Sequence, residues 1–256
     1  MTNQEILWTA MEQSAKDLSC HAEDFLRNDN VIVCSQVGPA AKTYYYEPIS
    51  INLVSYGNNI VASVKEPYRE LVAAYLQKFE FYHCFETPNL HWLDSRLSIY
   101  GQKICFMAMY YLPNIVNLRP LSCQYPLRIL GSAEFADLYR RPDWSNALCE
   151  KRKELDVLGV GAYDGTRLIG LAGCSADCDT MWQIGVDVLP EYRRNGVASA
   201  VTSYLAVEIL KRGKVPFYCS AWSNIRSARN AIKSGFVPAW VEMTAKPTEF
   251  VEGMNQ

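Results

Sequence analysis

The stretch VDVLPEYRRNGVASA, Val186 to Ala200, constrains the fold more than any other. Apolar and polar residues alternate through Val186 and Val188, and Pro190 ends the strand pattern. Two arginines, an asparagine and a glycine follow. Val197, Val201, Leu205 and Ile209 then recur at helical spacing. A strand must therefore hand over to a helix across a short polar turn. The first N–H groups of a helix have no intrahelical partner, and the dipole places partial positive charge there. Gly196 lets a ligand approach the backbone, Ala198 keeps the next turn clear, and Arg193 and Arg194 flank the opening. That combination describes a pyrophosphate cradle. The bland alternative is a strand–turn–helix corner with solvated arginines. A P-loop needs GxxxxGK[ST], which is absent. Gly159-x-Gly161 and Gly170-x-x-Gly173 do not complete GxGxxG ahead of a helix, which argues against a dinucleotide site of that kind.

The rest of the chain sets the frame. Its 256 residues, 49% hydrophobic, suffice for a sizeable core in one domain or two. A net charge of −2 gives no overall attraction to nucleic acid or an anionic membrane, and neither is expected as a partner. The first residues lack a leader pattern, and no apolar run reaches the ~18 residues of a membrane span. The nine cysteines are scattered, and none has the spacing of a metal site. The expectation is a metal-free cytoplasmic protein with reduced thiols.

The apolar periodicity predicts a helix from Glu5 to Leu26. A hairpin follows around Tyr56-Gly57-Asn58-Asn59, then a helix from Glu66 to Lys78 with Pro67 in its first turn, and a buried strand in KICFMAMYYLP. The aromatic segment FEFYHCFETPNLHW either packs a core or walls a small-molecule pocket in which Glu86 holds an ammonium group. NLRPLSCQYPLR carries two prolines and no periodicity, which sets a boundary between residues 1–124 and 125–256. Beyond it, the order is a strand in LRIL, a helix from Ser132 to Arg140, and two strands joined at Asp164-Gly165. The MWQIGVDVLP strand, the Gly196–Lys211 helix, the VPFYCSAW strand, an Asn224–Ser234 helix and a last strand in FVPAWVEMTA complete it. The class is α+β, a mixed sheet flanked by helices behind an N-terminal α+β domain. IVASVKEPYREL weakly echoes the strand–Pro–Tyr–Arg–helix word but lacks its glycine.

Val186-x-Val188-x-Pro190-x-x-Arg193-x-x-Gly196-x-Ala198 resembles the signature of the GNAT acyltransferases. So does Asn224-x-x-Ser227-Ala228 followed by Gly235-Phe236. The resemblance covers about the C-terminal half. It implies an N-acetyltransferase with acetyl-CoA as co-substrate. Val186, Asp187 and Val188 would pair with the pantetheine arm. Arg193, Arg194, Asn195, Gly196, Val197, Ala198 and Ser199 would hold the pyrophosphate, and Asn224 would bond the pantetheine or position the thioester. The expected reaction is direct acetyl transfer to a primary amine, a small molecule rather than a protein. The family's usual tyrosine, seven residues after the asparagine, is Ala231 here. Tyr218, or Tyr204, is then the candidate acid, and Asp187, or Glu242, the candidate base. The alternative reading is a catalytically silent acyl-CoA-binding sensor or an interaction module.

Overall fold

A computed structural model describes residues 1–255. In chain order the elements begin with α1 (Asn3–Leu18), β1 (Val31–Cys34), β2 (Ile51–Ser55), β3 (Val61–Val64), α2 (Arg69–Lys78), α3 (Thr87–Leu97) and β4 (Gln102–Pro113). They continue with β5 (Leu127–Gly131), β6 (Asp156–Asp164), β7 (Arg167–Ser175), β8 (Met181–Val188), α4 (Val197–Lys211) and β9 (Val215–Ala221). The last are α5 (Ile225–Lys233), β10 (Phe236–Pro247) and α6 (Thr248–Gly253).

The chain divides into two compact units, each discontinuous. One comprises residues 1–9 and 111–238, the other residues 10–110 and 239–256. The unit boundaries fall inside α1, β4 and β10 rather than in loops. The proline-bearing segment after Asn117, read from sequence as a domain boundary, lies within the first unit.

In the 10–110 unit the strand order is β1-β3-β2-β10. β1 runs parallel to β3, and the other pairs are antiparallel. Alternation divides the sheet into two faces. Ile51, Leu53, Ala62, Val64, Met243 and Ala245 pack against Val72, Tyr75 and Leu76 of α2 and Leu93 and Leu97 of α3. Asn52, Ser63, Glu242 and Thr244 occupy the opposite face. Much of the FEFYHCFETPNLHW segment packs in the apolar core: Cys84 and Phe85 are buried, with Phe79, Phe81 and Trp92 against the same cluster. Glu86 is exposed and bonds His83 Nδ1 at 2.8 Å, while Phe79, Glu80 and Phe81 of the segment also line a surface pocket with Asn28 and Asn30.

In the other unit the order is β9-β8-β7-β6-β5. β8 and β9 are parallel and the remaining pairs antiparallel. Helix α4 crosses one face over β6, β7 and β8. Gly170 makes that approach possible, since a Cβ there would come within 2.5 Å of Val197 Cγ1.

Two predicted helices are shorter than their patterns. The first stops at Leu18 because Ser19 turns left-handed (φ 61°) and the Cys20 N–H closes back on the Ala15 carbonyl at 3.0 Å. A 3-10 turn, Ala22–Leu26, then buries Phe25. After β5 only a 3-10 turn forms, Ser132–Glu134, with Glu134 accepting from the Gly131 N–H at 3.0 Å. Helix there is overridden by tertiary anchors. Phe135 is fully buried, and the Tyr139 hydroxyl donates to Asp156 Oδ2 at 3.0 Å.

Candidate functional site

The site is built from β8, the turn after it, and β9. The parallel β8–β9 ladder pairs Met181 with Val215 through Ile184 with Tyr218, and ends there. β8 nevertheless runs on to Val188 and β9 to Ala221. The two strands therefore fork. Along the fork Val186, Asp187 and Val188 pair with Ala172, Leu171 and Gly170 of β7 on one side only. Their other backbone edge is free of the β8–β9 ladder. A one-sided strand edge offers donors and acceptors at regular intervals to an amide-containing chain.

Beyond Val188, a 3-10 turn (Pro190–Tyr192) leads into Arg193. Arg193 Nε donates to the Val188 carbonyl at 3.0 Å, pinning the turn to the strand end. Arg194 adopts a left-handed backbone (φ 65°), and so does Gly196 (φ 78°), the N-cap of α4. A side chain in that conformation costs about 1–2 kcal/mol, so Arg194 is held at a cost a plain surface corner would not require. The first bond from α4 back to its cap is Ala200 N–H to the Gly196 carbonyl, 3.0 Å, joined there by Ser199 Oγ at 3.0 Å. The N–H groups of Val197, Ala198 and Ser199 precede that bond and are the helix's unpaired donors. The Val197 and Ser199 side chains are buried, so they contribute backbone donors alone, while Arg193, Arg194 and Asn195 are exposed. A Cβ at Gly196 would meet nothing within 4 Å.

The remaining expected site residues have defined partners. Asp187 is a clamp. Its Oδ2 accepts from the N–H groups of Asn146 (2.8 Å) and Ala147 (2.9 Å), and Oδ1 accepts from Asn146 Nδ2 at 2.7 Å. The clamped segment lies almost on the sheet. Cβ atoms at Gly185 and Gly173, which are cross-strand partners, would come within 1.9 Å of the Asn146 carbonyl oxygen and 2.2 Å of that of Ala147. Asn224 caps α5, accepting from the Ser227 N–H at 3.2 Å. Glu242 lies in the other unit, where its Oε1 accepts from the Tyr45 hydroxyl (2.6 Å) and Asn52 Nδ2 (2.8 Å).

Tyr218 stands at the last rung before the fork. It is buried, packs on Tyr111 and Phe236, and places its hydroxyl 2.8 Å from Ser227 Oγ on α5. Ser227 lies one helical turn before Ala231, which is itself fully buried. Burial pushes the Tyr218 phenol above the ordinary tyrosine value, although hydrogen bonds to Ser227 and Asn230 pull the other way. The phenol therefore keeps its proton through neutral pH.

Two further residues went unnoticed in the sequence. Asn146 is the Asp187 partner, and Gln183 bridges the strands at the fork, its Nε2 donating to Cys219 Sγ at 3.2 Å, whereas Ser227, the Tyr218 partner, already stood in the Asn224 motif. Only the first had a signal: glycines at alternate positions of adjacent strands mark a surface that another backbone approaches.

Residues 122–236 match the Acetyltransferase (GNAT) family. Solved structures similar to the chain include a GNAT-family protein of Novosphingobium aromaticivorans. It is 19% identical over 57% of this chain and 66% of that one, just under two thirds of its length, with a TM-score of 0.41. A protein of Salmonella typhimurium solved with its cofactor acetyl-CoA is 15% identical over 48% of this chain and 93% of that one, TM-score 0.37. An aminoglycoside N-acetyltransferase in complex with CoA is 19% identical over 48% and 93%, TM-score 0.36. No curated protein matches the chain. Among the described residues no helix is long and apolar enough to cross a membrane.

Proposed function

We propose that the β8–β9 fork binds acetyl-CoA and that the protein transfers the acetyl group directly to a primary amine. The observation that carries this is the coincidence of two features in one βα unit. One is a ladder that stops at Ile184–Tyr218 while both strands continue; the other is a helix N-terminus opened by two left-handed residues. In this reading the free edge of Val186–Val188 pairs with the pantetheine amides. The Arg193–Ser199 turn takes the pyrophosphate through its N–H groups and guanidinium charge. The family match, and relatives solved with acetyl-CoA and CoA, support the same ligand.

The amine nitrogen attacks the thioester carbonyl, and strand N–H groups stabilise the oxyanion. The C–S bond then breaks and the departing thiolate takes a proton. Tyr218 supplies it in this reading, because its phenol is protonated, buried and placed at the fork. The proton lost by the attacking nitrogen passes to solvent and returns to the Tyr218 phenolate, so amine and thioester give amide and thiol. Asp187, with three donors on its carboxylate, acts by holding the Asn146–Ala147 segment over β7 and β8 rather than by taking that proton. Nine free thiols suit a reducing compartment, in keeping with a cytoplasmic site of action.

Release of CoA thiol from acetyl-CoA across a panel of primary amines tests the proposal. Turnover above hydrolysis with at least one amine is the expected outcome. Tight CoA binding with no turnover on any amine would favour the silent sensor instead.

A further inference from the structure

Three segments meet at the N-terminal end of α4, and together they carry charge of one sign. Ser234, at the end of α5, donates through Oγ to the Ser199 carbonyl at 3.4 Å, and Asn230 Nδ2 donates to Thr202 Oγ1 at 3.1 Å. The segment after β4 joins them. The Leu121 N–H donates to Ser203 Oγ at 3.0 Å, and a Cβ on Gly235 would come within 2.8 Å of Leu118 Cα. Residues 113–121, 193–203 and 224–236 contain Arg119, Arg193, Arg194, Arg226, Arg229 and Lys233 and no Asp or Glu, in a chain of net charge −2. Arg193 is tied to the Val188 carbonyl. Among the described residues the other five are exposed and make no side-chain hydrogen bond or ion pair. Like charges gathered without counter-charges raise the local potential and attract an anion.

On α5 the three cations form a row. Arg226, Arg229 and Lys233 stand at i, i+3 and i+7, on one stripe of the helix. Asn230 and Ser234 face α4, and Lys233 lies beside both, so the stripe borders the side that meets α4. Lys233 and Arg229 form its end nearest Ser199. Arg226 is two turns back, about 10 Å along the axis from Lys233. The proposed pyrophosphate already has Arg194 and the N–H groups of Val197, Ala198 and Ser199. The cations on α5 exceed that need.

We infer that Lys233 and Arg229 bind the ribose 3′-phosphate of CoA and make the protein distinguish CoA from dephospho-CoA. This rests on the fork and its turn being the CoA site. The 3′-phosphate is a monoester and carries about −1.5 to −2 charges at neutral pH. A single ribose joins it to the pyrophosphate, so it falls beside the same turn. An ammonium and a guanidinium there supply charge-assisted donors to its three terminal oxygens.

Calorimetric titration of the full-length protein with CoA and with dephospho-CoA, which lacks only that phosphate, tests this. Wild type should bind CoA at least tenfold more tightly. Lys233→Ala and Arg229→Ala should each cut that preference about three- to fivefold by weakening CoA, with dephospho-CoA affinity within about twofold of wild type. Arg226→Ala, the same loss of charge on the same helix, should leave the preference within about twofold. The replaced side chains are exposed and unpaired, and a thermal melt of each variant verifies its fold. Equal affinity of wild type for the two nucleotides overturns the inference and leaves the CoA site standing. So does equal weakening of both nucleotides by Lys233→Ala and Arg229→Ala, or a loss of preference in Arg226→Ala as large as theirs; either means a general field only. Binding of neither nucleotide removes the CoA site itself, and the inference with it.

Discussion

Two corners of this protein begin with the same word and end differently. β3 passes through Glu66-Pro67-Tyr68 to Arg69, and β8 passes through Pro190-Glu191-Tyr192 to Arg193. Both tyrosines close a 3-10 turn with a proline in its first residues. At the first corner Tyr68 remains in the right-handed region (φ −105°, ψ −1°) and α2 continues directly, the Arg69 N–H donating to Glu66. The turn itself thus takes up donors at that helix end. At the second corner four residues intervene, two of them left-handed, and α4 begins afresh with its donors open. The proline–tyrosine–arginine word therefore encodes a way off a strand. The added left-handed residues turn that exit into an anion site.

Gly196→Asp breaks this difference with the largest effect. It puts a carboxylate beside the proposed pyrophosphate and forces a side chain into φ 78°. CoA affinity should fall on the order of 100-fold, about 2.7 kcal/mol. Stability should fall by only about 1–2 kcal/mol, because a Cβ there meets no neighbour. Titration calorimetry alongside denaturant melts separates the two.

Tyr218→Phe probes the chemistry beyond the turn. We expect kcat to drop on the order of 100-fold with CoA affinity unchanged, the lower end of what a general acid contributes. The phenol is raised by burial, so the wild-type rate should lose its acid only above the ordinary tyrosine range of about 10. The linkage has the same sign. The unfolded tyrosine ionises before the folded one, so the stability held by its neutral phenol is complete below about pH 10 and is lost as pH rises beyond it. A kcat pH profile and alkaline melts of both proteins check this.

Arg193→Ala sharpens the comparison more gently. It removes one charge and the tether to the Val188 carbonyl, and CoA should bind about tenfold more weakly, within the ~1–3 kcal/mol of a charged hydrogen bond. The smallest effect belongs to Arg69→Ala at the echo corner. That arginine follows the same Pro-Tyr word but sits inside α2, and CoA affinity should stay within about twofold of wild type.

The donor-site elements were legible in the sequence because local chemistry dictates them. Alternation marks β8, the proline ends it, and Gly196 with the following apolar stripe starts α4. What escaped was tertiary. The left-handed turn at Arg194 carries no compositional mark, since arginine there is held by its surroundings. Nothing local says that Ser132–Arg140 yields to the burial of Phe135, or that Asp187 is spent on Asn146 forty-one positions away. The proline-bearing segment looked like a domain boundary, yet the units divide within the strands β4 and β10.

The central claim, that the fork and the turn after it hold acyl-CoA, is tested most directly by titrating CoA into the full-length wild-type protein. One-to-one saturable binding is predicted. At a hundredfold excess over Kd it should bring a stabilisation of about 2.7 kcal/mol, and both effects should be largely lost in Gly196→Asp. A folded protein that gives neither heat nor a shift in Tm at millimolar CoA would contradict it.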